Sequence, residues 1–434
     1  MESINIFWFR RDLRIDDNHG FFQALNAGLP VVPVFIFDPA ILAHFPDPTD
    51  ARLTFIHRNL KDLDLEFRKH NSSLQVYYSS PEVVFGQLTT KYIVHNVFCN
   101  TDYEPAALLR DQHVAQLLQE KDIEFISYKD QVIFHQDEVV KPNGKPYTVF
   151  TPYSKKWKEK LAENPVELYD SENLLYMLKH LSSDYFPELN EIGYQTQNIQ
   201  FPGKIFDQNL IENYGQLHDF PAENGTSRLG IHLRFGTISA RKLVRFALEY
   251  SSVFLNELIW REFYMSILWH FPHVADKSFK PAYELISWRN NEAEFERWCA
   301  GQTGYPLVDA GMRQLNETGY MHNRIRMVVA SFLTKHLLID WRWGEAYFAS
   351  RLLDYELASN NGGWQWASGS GCDAAPYFRI FSPELQTKKF DPQLKYIRKW
   401  VPEFETSAYP KPIVDHAFAR TRVLEAYRKA LKKS

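Results

Sequence analysis

From residue 4 to about residue 129, short apolar runs alternate with longer amphipathic stretches. This alternation restricts the fold more than any other feature, because strands separated by helices are joined by crossovers and lie parallel in one sheet. Residues 4–9, 31–37, 74–78, 96–99 and 124–128 read as the strands. Residues 51–70, 81–92 and 104–121 carry helix-spaced apolar positions, with Pro81 and Pro105 where a first turn tolerates proline. The expectation over 1–130 is an α/β doubly wound parallel sheet. It has no G-x-G-x-x-G after the first strand and no G-x-x-x-x-G-K-[ST], so neither a dinucleotide fingerprint nor a Walker phosphate loop is available to a ligand.

Residues 131–200 change character. Pro142, Asn143, Gly144, Pro146, Pro152, Pro165 and Pro187 fall there among few periodic apolar runs, and the segment reads as an interdomain linker. Over 201–434 helical periods dominate, at 240–250, 254–271, 292–300, 308–317, 323–338 and 343–354, so the second half is expected to be mostly α-helical.

Composition narrows the function classes. Cys99, Cys299 and Cys372 lie far apart with no C-x-x-C pair, which argues for a reduced, cytoplasmic setting and against a disulfide framework or a metal site. The longest apolar stretches, 31–37 and 327–339, are short or interrupted, so no membrane span is expected, and the first residues lack a signal-peptide pattern. A net charge of −4 says little about nucleic acid, which answers to a local basic face. Aromatic residues make up 15% of the chain, and seven of the 11 tryptophans follow residue 280, so the helical half holds most of the indoles.

Four stretches mix polar and aromatic groups in ways that point to chemistry. G225-T-S-R-L-G230 precedes a helical run and offers backbone N–H groups and hydroxyls to a phosphate, although a plain capping box has the same pattern. N256-E-L-I-W-R-E-F-Y264 sets Glu257, Trp260, Arg261 and Tyr264 on one helix face, as a pocket wall or as a simple Glu257–Arg261 ion pair. In H322-N-R-I-R-M327, Asn323, Arg326 and Met327 share a face ahead of a strongly apolar run. In D354-Y-E-L-A-S-N-N-G-G-W-Q-W366, Gly362 and Gly363 permit positive φ, and Trp364 and Trp366 are expected on a bent segment, pointing to different neighbours.

Together with W8-F-R-R-D-L-R14, V149-F-T-P-Y-S-K-K-W157, G304-Y-P-L-V-D-A-G-M-R-Q-L315, A330-S-F-L333 and D340-W-R342, these stretches closely resemble the photolyase/cryptochrome flavoproteins. Within that family they are most similar to the class I-like members that repair cyclobutane pyrimidine dimers. The resemblance implies an antenna domain over 1–130 and a catalytic domain over 201–434 that binds FAD and DNA. Tyr214, Thr226, Ser227, Arg228 and Leu229 would surround the FAD phosphates, with Gly230 standing where the family has Ser and Phe254 where it often has Trp. Arg326 and Asp354 would pair near the flavin, followed by Tyr355 and by Glu356 in place of a usual Asp. Asn360 would face flavin N5, its neutral amide suited to the reduced FADH⁻ form.

A cyclobutane dimer can be cleaved by one added electron, so the resemblance calls for no nucleophile and no metal. Excited FADH⁻ would donate that electron to a dimer flipped out of damaged duplex DNA. Glu257, ideally protonated, would hydrogen-bond a thymine carbonyl beside Asn323, and Trp260, Met327 and Trp366 would wall the dimer. Arg261, Tyr264, Arg324 and Arg379 would meet the DNA, while His218 stands where the family has a further backbone-contacting Arg. Trp364, Trp341 and Trp288 would relay electrons to oxidised FAD. Asn360 favours repair over a cryptochrome-type blue-light photoreceptor, which is the alternative alongside a photolyase for another lesion or for single-stranded DNA. Ala106 and Ala107 replace two polar folate contacts, so a second antenna chromophore would be a deazaflavin, another flavin, or absent. A monomer with no membrane partner is expected.

Overall fold

The computed structural model describes residues 1–182 and 185–432. The chain forms two compact units: residues 1–138, 158–206 and 228–249, and residues 139–157, 207–227 and 250–434. The division therefore passes through the segment 131–200 and assigns 139–157 to one unit and 158–206 to the other.

In the first unit, β1 (Ser3–Phe9), β2 (Val31–Phe37), β3 (Gln75–Tyr78), β4 (Ile93–Asn100) and β5 (Glu124–Tyr128) form one all-parallel sheet in the order β3-β2-β1-β4-β5. Every residue of β2 is buried, as befits an inner strand covered on both faces. The crossovers are α1 (His19–Leu25), α2 (Ala51–Arg68), α3 (Pro81–Lys91) and α4 (Pro105–Gln119). The seven-residue α1 escapes the periodicity reading because it is shorter than two turns; Asn18 caps it by accepting from the Phe21 N–H at 3.2 Å.

Open α/β sheets receive ligands where the strand order reverses, here between β1 and β4. That edge is crossed by the unit's own charges. Arg10 donates to the Asn100 carbonyl, Arg11 pairs with Glu104 at 2.8 Å, and Arg14 and Arg241 share Asp130, holding its carboxyl below the usual range against the opposing effect of burial. Gly236, at φ +59°, fits beneath this network because a Cβ there would lie 2.2 Å from the Arg11 carbonyl oxygen.

Helix α5 (Phe150–Glu163) is a departure from the expected linker, since Tyr153, Trp157 and Leu161 at helical spacing are buried and Pro152 falls in the first turn, where proline is tolerated. Helix α6 (Ala240–Tyr250) matches its expected range. The second unit is helical: α7 (Ser252–His270), α8 (Pro306–Thr318), α9 (Asn323–Ser331), α10 (Trp341–Arg351), α11 (Leu357–Ser368) and α12 (His416–Leu431). Its core centres on Trp298, Trp341, Trp364, Phe332 and Leu333. The expected 323–338 helix instead stops at Ser331 and continues as a wide π turn over Phe332–His336. That turn carries Lys335 into the interior, where its Nζ donates to the Ser368 carbonyl at 2.7 Å and stands 4.0 Å from the Tyr427 ring centroid of α12. The expected 343–354 helix begins two residues earlier because Asp340 accepts from the Arg342 N–H at 3.0 Å.

Candidate active site

The second unit holds three of the four polar-aromatic stretches, on or beside α7, α9 and α11, and the first three residues of the fourth. Helix α7 starts at its Ser251 cap and presents Glu257, Trp260, Arg261 and Tyr264 along one side. The Trp260 ring is held on three sides. Phe150 lies parallel to it with centroids 3.7 Å apart, Phe263 meets it edge-on at 5.6 Å, and Tyr264 lies at 5.4 Å. The Phe150 N–H donates to Asp373 Oδ2 at 2.9 Å, which fixes the stacking partner as well. Such boxing sets the indole plane before any ligand arrives.

Glu257 is half-buried, and burial raises its pKa, with His218 and Arg324 opposing and Asp219 reinforcing the shift. Its neutral form can donate a hydrogen bond. The alternative Glu257–Arg261 pair is not formed, since Arg261 pairs with Glu356 at 2.8 Å. Arg324 pairs with Asp219 at 2.6 Å and lies over the Phe390 ring. Arg379 and Asn323 are exposed, and Met327 is half-buried with its sulfur 3.7 Å from Arg324 Nη1.

Helix α11 corrects the expectation of a bent segment with positive-φ glycines. It runs unbroken through Asn360, Asn361, Gly362 and Gly363. Gly362 is needed for contact, because a Cβ there would come within 2.2 Å of the Tyr264 ring, whereas Gly363 faces open space one turn beyond Asn360. Trp364 is buried and Trp366 half-buried, on different sides of the same helix. Gln365 pins the facing loop by donating to the Val274 carbonyl at 2.9 Å and accepting from the Phe279 N–H at 2.8 Å. A recess beside this loop is lined by Tyr264, Phe279, Trp366 and Cys372.

Asn360 donates through Nδ2 to the Glu345 backbone carbonyl at 3.1 Å and to Glu345 Oε1 at 2.9 Å. A backbone carbonyl can only accept, so the amide orientation is fixed and Oδ1 is the end left for a ligand's donor. Glu345 itself has a pKa raised by burial. Arg326 donates to Asp354 Oδ2 at 2.9 Å and to the Met321 carbonyl at 2.7 Å. Tyr355 bonds Glu345, and Glu356 begins α11. Glu345, Phe150 and Asp219 are the partners that residue patterns did not single out.

Tyr214 packs edge-on against Phe254 at 5.1 Å and stacks on His218 at 4.8 Å. Thr226 Oγ1 lies 3.0 Å from the Tyr320 hydroxyl, and the turn before it is tight, since a Cβ on Gly225 would lie 2.6 Å from Leu217. Ser227 ends this part of the second unit, while Arg228 (φ +53°), Leu229 and Gly230, the first residue of a five-residue helix, belong to the first unit. Trp341 and Trp364 share the helical core, and Trp288 packs against it. Trp341 Nε1 is buried without a hydrogen-bond partner among the described residues.

These donors and acceptors fit a reduced flavin. A fixed amide oxygen can accept from N5–H, and the helical unit also holds a guanidinium-carboxylate pair that can offset negative charge. No group of His, Cys, Asp and Glu suited to a metal occurs among the described residues.

The family model for the FAD binding domain of DNA photolyase matches residues 254–407, and the model for DNA photolyase matches residues 5–170. A deoxyribodipyrimidine photo-lyase of Vibrio cholerae is 38% identical over 98% of this chain and 100% of its own. An archaeal photolyase from Sulfolobus tokodaii, solved with two FAD molecules, superimposes with a TM-score of 0.80 at 33% identity, covering 99% of this chain and 100% of that one. A Synechocystis cryptochrome reaches a TM-score of 0.85 at 26% identity over 99% of each chain. With full-length relatives at this identity and both domain models in sequence order, the chain belongs to the DNA photolyase family.

Proposed function

We propose that this protein is a light-dependent deoxyribodipyrimidine photo-lyase that reverses cyclobutane pyrimidine dimers in duplex DNA, acting as a cytoplasmic monomer. Reduced FAD, when bound and excited by blue light, supplies the electron that cleaves the dimer.

The protein's own groups bind, orient and exclude water. Trp260 and Trp366 give flat apolar walls for the flipped bases, Met327 fills between them, and Asn323 hydrogen-bonds at the rim. Glu257, whose pKa burial raises, donates in its protonated form to a thymine carbonyl and stabilises the charge that develops there. Asn360 accepts the flavin N5–H through Oδ1, and Arg326, oriented by Asp354, offsets negative charge on the ring. Within the helical unit, Tyr214, Thr226, Ser227 and Phe254 hold the remainder of the cofactor, with Tyr355 and Glu356 beside the ring. Trp364, Trp341 and Trp288 carry electrons inward when FAD is oxidised. Arg261, Tyr264, Arg324 and Arg379 meet the DNA, the last as an exposed cation.

The observation that carries this reading is the Glu345-held amide of Asn360, a neutral group at the position where photoreceptor relatives tend to place an acid or a thiol. A second chromophore on the α/β unit would sit away from the β1/β4 crevice, which Arg10, Arg11 and Gly236 already fill.

The test is light-dependent loss of thymine dimers from duplex DNA by flavin-loaded protein, with a dark control and a (6-4) photoproduct control. Repair of dimers only in the light supports the reading. Tight flavin binding with no repair of any lesion supports a cryptochrome-type photoreceptor, the second reading favoured by the fold shared with the Synechocystis protein.

A further inference from the structure

A second recess lies apart from the candidate active site, about 450 Å3 in volume, bounded by Lys141, Asn143, Tyr147, Val149 and Pro152. We propose that it is a nucleotide subsite that receives the residue flanking the dimer on the damaged strand, with its phosphate on Lys141 and its base on the Tyr147 ring. The inference rests on the dimer-repair reading and extends it to a part of the chain given no role there.

Four observations carry it. The volume lies within the ~300–1,000 Å3 of small-molecule sites. The recess is also preformed: Lys141 and Lys145 close a hairpin through a 2.9 Å backbone bond, the Gly144 N–H donates to the Lys141 carbonyl at 2.8 Å, and Val140 bridges Pro146 in antiparallel fashion. Asn143 Oδ1 accepts from the Lys145 N–H at 3.2 Å, which stiffens the turn. Gly144 takes φ +76° at its end, a conformation that favours glycine.

Charge points to a polyanion. From Val139 to Trp157 the segment carries Lys141, Lys145, Lys155 and Lys156 and no acidic residue, in a chain whose net charge is −4. The Lys141 ammonium lies over the Tyr147 ring, 5.8 Å from its centroid, so a cation and an aromatic ring stand together in the recess. This is the combination that single-stranded nucleic acid uses, with bases stacked on rings and phosphates tracked by lysines.

Position supplies the last observation. Val149 lines the recess, and the next residue, Phe150, stacks on Trp260 of the proposed dimer wall. One peptide unit thus joins the lining of the recess to the residue stacked on the proposed dimer wall.

The experiment measures dark binding of flavin-loaded protein to two ligands by fluorescence anisotropy: the isolated thymine-dimer dinucleotide and an oligothymidylate of about eight residues with one central dimer. Wild type should bind the longer ligand more tightly. Tyr147→Ser should reduce that length-dependent gain by at least about fivefold, the low end of one base-aromatic stack. Lys141→Ser should lower the salt slope for the longer ligand by about one. Tyr147→Phe should restore the gain, which a general folding defect would not allow. If both serine variants keep the wild-type gain and slope, the subsite is overturned. If wild type binds the dimer ligands no better than undimerised oligothymidylate, the repair reading fails instead, and the subsite goes with it.

Discussion

Phe150 and Trp260 lie face to face, 3.7 Å between ring centroids and 5° from parallel, although 110 residues of chain separate them. The stack commits one indole face to the protein and, in the proposed function, presets the plane of the wall that a flipped base meets. Phe150→Leu should therefore weaken dark binding of dimer-containing duplex by about tenfold, from loss of an aromatic pair and of a preset orientation. Phe150→Tyr should keep it. Flavin content and binding of undamaged DNA serve as internal controls, and equal losses on damaged and undamaged DNA would show that Phe150 does not shape the lesion wall.

Glu257 is protonated to higher pH than an exposed carboxyl because it is buried. The hydrogen bond proposed between it and a thymine carbonyl should be lost as pH rises through that raised pKa, so affinity for dimer DNA should fall with pH over that window. Glu257→Gln should flatten the profile, and Glu257→Ala should lower repair yield more than flavin content. The linkage sign is fixed: between the ordinary and the raised pKa the folded protein holds a proton that the unfolded chain releases, so this group makes the fold less stable as pH rises.

His322 behaves in the opposite sense. Its Nδ1 accepts from the Arg324 N–H at 3.2 Å, and burial, helped by Arg326, lowers its pKa to about 4. Below the ordinary value of about 6.5 the unfolded chain takes up a proton that the fold refuses, so stability should drop as pH falls from about 6.5 towards 4. His322→Asn replaces the capping nitrogen with an amide oxygen that does not titrate and should reduce that acid sensitivity in denaturant titrations. An unchanged acid limb would assign the loss to other groups.

Gly344 lies under Trp364, so closely that an added Cβ would sit 2.0 Å from Cη2 of the indole. Gly344→Ala should cost about 1–3 kcal/mol by overpacking and should slow light-driven reduction of oxidised flavin by displacing the ring. Trp364→Phe should block that photoreduction yet spare repair by chemically reduced protein. Loss of both activities in Trp364→Phe would mean that the indole serves the dimer pocket as well.

Local pattern made much of the fold legible. Val31–Phe37 and Glu124–Tyr128 fall at their expected limits because short runs rich in apolar and aromatic residues are read directly from neighbouring residues. Helix α11 runs unbroken where its sequence suggests a bend, because Gly362 serves to clear the Tyr264 ring and not to supply conformational freedom. Within the site, the motif residues are visible in one dimension and their partners are not. Glu345 holds Asn360 from the preceding helix, Asp219 reaches Arg324 across 105 positions, and Glu356 reaches Arg261 across 95. Such pairings arise only once helices pack, and no spacing rule encodes them.

The buried Lys335 makes the last helix more than a trailing end. Its ammonium is shielded by the Tyr427 ring and by a carbonyl that Tyr427 also bonds, at 2.8 Å, and burial lowers its pKa strongly. Trimming the chain before His416 would strip away that cover and open the Lys335 amine to water and protonation beside the tryptophan-rich interior. A shortened version should thus fail first as a flavin holder, well before its sheet unravels.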